Sequence, residues 1–132
     1  MITKKRVITV IAAIVVICGL VYLAYYEYRV NSYQSKVKNM SFAELDFGKI
    51  PDGTYIGECD ADFIFAKVRV TVLNGAVTGI ELLEHKNDKG ILAERIPEDI
   101  VREQKFPVDA VSGATNSSKV IMKAVENALT QK

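Results

Sequence analysis

Lys67-Val68-Arg69-Val70-Thr71-Val72-Leu73-Asn74-Gly75-Ala76-Val77-Thr78-Gly79-Ile80-Glu81-Leu82-Leu83-Glu84 decides the fold. Its first part alternates, with Val68, Val70 and Val72 on one face, the period of a half-buried strand. Asn74-Gly75 then supplies a two-residue hairpin turn, because both positions tolerate positive φ. Val77 to Glu84 returns as the partner strand, with Ile80 and Leu82 sharing a face. An antiparallel pair is therefore expected at the centre of the domain.

Upstream, Pro51-Asp52-Gly53 reads as a turn and Thr54 to Glu58 as a short strand. Downstream, Lys86-Asn87-Asp88-Lys89-Gly90 reads as a polar loop. Ile91 to Gln104 then reads as helical, with Pro97 where a missing N–H is harmless. Phe106-Pro107-Val108 is extended. Val120, Ile121, Ala124, Val125, Ala128 and Leu129 form the apolar stripe of a last helix. Ser117 or Ser118 is its expected N-cap. This order predicts an α+β domain in which a small antiparallel sheet is packed with helices.

One N-terminal transmembrane helix precedes it. Val7 to Tyr26 is almost unbroken apolar sequence, about the 20 residues that cross a hydrocarbon core. Lys4, Lys5 and Arg6 lie before it, whereas Glu27 and Arg29 follow. The positive-inside rule then predicts a single pass with a cytoplasmic N-terminus and an extracytoplasmic C-terminal domain. A cleaved signal peptide fits less well. The run is long for one, and the exit from Tyr22 to Tyr28 lacks small residues at cleavage spacing. A lipid-modified Cys18 is disfavoured by the bulky Ile17 before it. Tyr22, Tyr25, Tyr26 and Tyr28 fit an interfacial aromatic belt. Val30, Tyr33, Val37 and Met40 recur at helical spacing and suggest a stalk. The expected organisation is a basic N-terminus at 1–6, an anchor at 7–28, a stalk helix at 29–42 and a domain at 43–132.

Charge and residue counts exclude several functions. The chain carries 17 basic and 16 acidic residues, a formal charge of +1. Setting aside Lys4, Lys5, Arg6, Arg29 and Glu27 leaves the rest near neutral, about −2. That argues against a nucleic-acid partner held through phosphates. Of the two cysteines, Cys18 falls in the anchor and Cys59 is alone in the domain, so no disulfide framework or paired-thiol motif is available. His85 is the only histidine, which argues against a histidine-rich metal site or bis-histidine haem.

Val108-Asp109-Ala110-Val111-Ser112-Gly113-Ala114-Thr115-Asn116-Ser117-Ser118 carries the chemistry. Gly113 permits an unusual backbone conformation and a close ligand approach, and Ala114 keeps that surface small. Thr115, Asn116, Ser117 and Ser118 place hydroxyls, an amide and unsatisfied backbone N–H groups at a helix N-terminus, an arrangement suited to phosphate. The bland reading is a capped turn, since small hydroxylated residues precede many helices for that reason alone.

Asp109-Ala110-Val111-Ser112-Gly113-Ala114-Thr115 resembles the flavinylation motif of FMN-binding domains, Asp-x-x-Ser/Thr-Gly-Ala-Thr. The resemblance extends to Asp52-Gly53-Thr54-Tyr55-x-Gly57, to the hairpin from Val68 to Glu81, and to Glu84-His85-Lys86-Asn87 through Gly90, covering about 43–132. It implies that a flavin transferase takes FMN from FAD and joins its phosphate to Thr115 as a phosphoester. Ser112, Gly113 and Ala114 would form the turn under that phosphate, Asp109 the acidic motif position, and Asn116, Ser117 and Ser118 its helix-end surroundings. Tyr55, Phe63 and Phe65 are candidates for the wall of the isoalloxazine, with ordinary packing as the competing reading. His85 could approach the flavin from its loop. Thr115 would be a tether and no catalytic group.

Two departures from the family pattern matter. The Glu-Thr-Pro-Gly-type loop of large respiratory-complex subunits is absent where Lys86 to Gly90 stands, which favours the small stand-alone members. Asn116 stands where a hydrophobic or aromatic residue is common. The resemblance implies a membrane-anchored, extracytoplasmic electron-transfer flavoprotein with a redox donor and acceptor. The alternatives are a non-catalytic FMN-binding sensor or assembly domain, or an electron-supplying subunit of a separate exported reductase.

Overall fold

The computed structural model describes residues 1–87 and 89–131. Asp88, in the expected polar loop, and Lys132, at the end of the expected domain, lie outside the described residues. The chain forms two units, Met1–Ser35 and a second beginning at Lys36. Helix α1 covers Lys4–Lys38. Its apolar stretch has a mean hydropathy of 2.9 with none of it buried, and it is long and apolar enough to cross a membrane. At 1.5 Å per residue, 20 residues span about 30 Å, the thickness of the hydrocarbon layer.

The second unit is an α+β domain built on one antiparallel sheet in the order β1-β2-β3. The strands are β1 (Gly53–Asp60), β2 (Phe65–Leu73) and β3 (Ala76–Lys86). Asn74 and Gly75 have φ of 52° and 76°, so the β2–β3 turn uses the left-handed region that Asn-Gly supplies. The alternation anticipated in β2 is present: Ala66, Val68, Val70 and Val72 are buried on one face. Register shifts at Lys67/Val68 and Thr71/Val72 keep β3 in step with that face, placing Leu82, Ile80 and Val77 opposite Val68, Val70 and Val72. The other face is a charged one. Ile56, Arg69 and Glu81 share a row across the sheet, and Arg69 pairs with Glu81 at 2.6 Å.

Helices cover the apolar face. The segment expected as one helix from Ile91 to Gln104 is divided: a 3₁₀ turn at Ile91–Arg95 leads into α2, Ile96–Glu103. Pro97 sits in the first turn of α2, where its missing N–H breaks no bond within that helix, but no α ladder can run through it from upstream. Gln104 ends α2 in the left-handed conformation, φ 50°, with its N–H on the Ile100 carbonyl.

Helix α3 (Thr115–Leu129) lies across β1 and β2. Val120, Ile121, Ala124, Val125 and Ala128 are buried as the stripe required, whereas Leu129 is half-exposed. Each buried Val or Ile contributes about 1.5–3 kcal/mol of hydrophobic stabilisation. Gly57 is the closest approach: a Cβ there would lie 2.3 Å from the Ala124 carbonyl oxygen and 2.3 Å from the Ala128 nitrogen.

Side-chain amides reach both sheet edges. Gln104 accepts from the Val77 N–H at 3.0 Å and donates to the Val77 carbonyl at 2.7 Å. On β1, Asn127 donates to the Glu58 carbonyl at 2.8 Å, and Gln131 donates to that of Ile56. Upstream of the sheet, Phe42 meets the Phe106 ring edge-on, and Lys123 donates to the Ser41 carbonyl at 3.1 Å.

Candidate functional site

The motif folds into a turn that delivers Thr115 to the first position of α3. Val111 to Ala114 closes with the Ala114 N–H on the Val111 carbonyl at 3.0 Å. Gly113, at the third position, has φ 83°, as a type II turn demands and as glycine permits. No atom lies within 4 Å of where a Gly113 Cβ would stand, so the glycine is required by the backbone and its outer side is open.

The helix start differs from the expected one. The N-cap position belongs to Ala114, with no side-chain cap, and Ser117 and Ser118 lie inside the first turn, buried. Both fall on the continuation of the apolar stripe, where their small side chains fit under the covering loop. The Ser118 hydroxyl accepts from the Val111 N–H at 3.0 Å and donates to the Ala114 carbonyl at 2.7 Å. Ser117 packs against Gly90, where a Cβ would stand 1.9 Å from its Oγ. That Oγ is buried without a hydrogen-bond partner. Thr115 and Asn116 are exposed, as are Ser112 and Gly113. Ala114 has no side-chain oxygen and so gives the first turn no capping hydrogen bond of its own.

Asp109 is exposed and lines a cleft of about 450 Å³ together with Val108, Ala110, Val111 and Ser112. The facing wall is Leu92, Arg95, Asp99, Arg102 and Glu103. Asp99 is buried between two arginines, with Arg95 Nε at 3.1 Å and Arg102 Nη2 at 2.5 Å. Burial works to raise the Asp99 pKa, but the two guanidiniums outweigh it and hold the carboxyl below its ordinary value. The same pairing raises the Arg102 pKa.

His85 and Tyr55 lie elsewhere. His85 belongs to β3, not to the following loop, and its side chain is 2% exposed. It faces the helices opposite Ala66, with Nδ1 3.0 Å from Glu94 Oε1 and 3.3 Å from the Asn87 amide. The Asn87 oxygen takes the Gly90 N–H at 3.1 Å, so this chain of contacts reaches the residue that covers Ser117. Tyr55 is on β1, its hydroxyl donating to the Pro51 carbonyl at 2.6 Å. Two residues along, Gly57 meets Ala124 and Ala128, about 14–20 Å down α3 from Thr115. The structure therefore gathers Asp109, Ser112, Gly113, Ala114, Thr115 and Asn116 at one helix end and leaves Tyr55 near the other. Phe65 is half-buried opposite Asp60 and Lys86, on the sheet face away from α3. Phe63 is half-buried in the preceding turn.

Arg95, Asp99, Arg102 and Leu92 were not among the residues expected at the site. Their readable signal was the spacing of Arg95, Asp99 and Arg102 by four and three, which puts the charges on one helix face. Leu92 is 60% exposed beside Ile91 at 66%, an apolar pair left outside the core.

The residues fit an esterified phosphate. Thr115 is exposed at the first position of a helix whose N-cap, Ala114, carries no capping oxygen, and Gly113 leaves the approach open. No curated protein and no solved structure matches the chain. A family model described as FMN-binding domain matches residues 65–130, from the start of β2 through the end of α3. That match takes in the hairpin, the α2 cleft and the Thr115 turn, and the chain belongs to the FMN-binding domain family.

Proposed function

We propose that the domain carries FMN esterified through its phosphate to the Thr115 hydroxyl and works as an electron carrier held to a membrane by α1. The observation that supports it most is the placement of Thr115. It is exposed at the first position of α3, at the positive end of the helix and directly after the open Gly113 turn.

The tether forms by phosphoryl transfer from FAD, catalysed by a flavin transferase. The Thr115 Oγ–P bond forms, the P–O bond of the pyrophosphate breaks, AMP leaves, and the hydroxyl proton passes to a base of the transferase. The helix end favours the phosphate charge through its dipole and the N–H groups of its first turn. Gly113 and Ala114 keep side chains out of the path of the incoming nucleotide. Asp109, exposed before the turn, is the acidic mark that the transferase reads. When bound, FMN supplies one- and two-electron redox chemistry between a donor and an acceptor. A covalent link keeps it on a domain that faces the outside, where free FMN would be lost. Lys4, Lys5 and Arg6 on the N-terminal side of α1 support that orientation.

Purified protein, denatured and freed of small molecules, should remain yellow and show a mass increase of one FMN less water. Thr115→Ala should abolish both and leave the domain folded. A folded wild-type protein without that mass, produced alongside an active flavin transferase, overturns the reading. A reporter fused at the C-terminus should be active only outside the cytoplasm.

A further inference from the structure

We infer that the cleft between α2 and residues 108–112 seats the isoalloxazine ring of the flavin, with Leu92 under the ring and the guanidiniums of Arg95 and Arg102 at its polar edge. The inference rests on the FMN reading above and adds where the ring lies and what holds it.

Proximity is the first argument. The type II turn holds Val111 and Ala114 within about 7 Å, and Val111 and Ser112 already line the cleft. A ribityl chain leaving Thr115 therefore enters it without crossing the domain. Capacity is the second: about 450 Å³ falls within the roughly 300–1,000 Å³ usual for small-ligand sites.

Chemistry is the third. Isoalloxazine has an apolar dimethylbenzene half and a pyrimidine half bearing carbonyl and ring-nitrogen acceptors. The cleft has matching halves, with Leu92, Val108, Ala110 and Val111 apolar and Arg95 and Arg102 rich in donors. Leu92 is exposed, which is unusual for a leucine beside a core helix, and a ring laid on it would remove that surface from water. Both guanidiniums are anchored by one buried carboxylate, Asp99, so they are fixed in direction before any ligand arrives. Each keeps donors to spare, since Arg has five N–H groups. Glu103, 3.6 Å from Arg102, and Asp109 stand at the rim and temper the positive charge. The aromatic residues Tyr55 and Phe65 lie elsewhere on the sheet, as described above.

The experiment uses the loaded full-length protein in detergent, with covalent FMN content read by mass in every variant. Iodide should quench the wild-type flavin less than free FMN. Leu92→Ser should raise the quenching constant several-fold, and Arg102→Gln should shift the visible flavin spectrum and lower the midpoint potential. Phe65→Leu should change neither. Leu92 is exposed, so thermal unfolding of Leu92→Ser should remain near wild type, whereas Arg102→Gln should unfold somewhat earlier because buried Asp99 loses one of its two partners. Wild-type quenching equal to that of free FMN overturns the inference, as does a response to Phe65→Leu in place of Leu92→Ser. If the wild-type protein carries no covalent flavin, the tether reading falls and the cleft is tested separately with free FMN. Saturable binding to the wild-type protein that Leu92→Ser weakens supports the seat; no saturable binding refutes it.

Discussion

The Ser118 hydroxyl takes a hydrogen bond from the Val111 N–H at 3.0 Å and returns one to the Ala114 carbonyl at 2.7 Å, clasping both ends of the turn that precedes Thr115. One buried side chain thereby sets the position of an exposed one. Ser118→Ala leaves the Val111 N–H without its acceptor, a loss of about 1–2 kcal/mol in urea unfolding. Flavin incorporation should slow in parallel although Thr115 is intact. Unchanged stability and unchanged loading would show that the turn holds itself.

Gly57 is where β1 and α3 touch backbone to backbone. A methyl group there collides with main-chain atoms of Ala124 and Ala128 that cannot swing aside. Gly57→Ala should destabilise the domain by about 3 kcal/mol, read as a lower denaturation midpoint with an unchanged slope.

Asp99 makes acid stability testable. Its folded-state pKa lies below the ordinary value because of Arg95 and Arg102, in spite of burial. Its contribution is therefore complete above the unfolded pKa of about 3.9 and is lost as pH falls through the lower folded value. Asp99→Asn should be less stable than wild type at neutral pH, and the difference should shrink below about pH 4.

Cys59 should be slow to alkylate. Burial on the α3 side of β1 pushes its thiol pKa up; Lys36 and Lys123 pull it down by less, and Asp60 adds to the rise. In a Cys18→Ser background at pH 8, the native protein should react with iodoacetamide at least about tenfold slower than after denaturation. Equal rates would mean that β1 opens readily.

The parts of this fold that could be read ahead were those set by neighbours in sequence. Asn74-Gly75 announces its hairpin because the needed φ values belong to those two residues, and the α3 stripe follows from a 3.6-residue period. The helix start was misplaced because Ser117 and Ser118 resemble caps in isolation. Only the sheet below and Gly90 above show that they are interior residues. The motif turn was legible for the same local reason as the hairpin, through Gly113. The cleft was not, since Leu92, Asp99 and Val111 meet only once α2 has docked. The separation of Tyr55 from Thr115 was not legible either, because it is set by the length of α3 and by where β1 crosses that helix.

The amides of Gln104, Asn127 and Gln131 carry a consequence beyond the site. A sheet of three strands has two open margins, each a template on which another extended chain can add. Here the margin of β3 is occupied at Val77 and that of β1 at Ile56 and Glu58, by side chains from the domain's own helices. Copies held side by side on one membrane would meet at high local concentration. Side chains seated at these positions oppose strand pairing between such copies at Val77, Glu58 and Ile56.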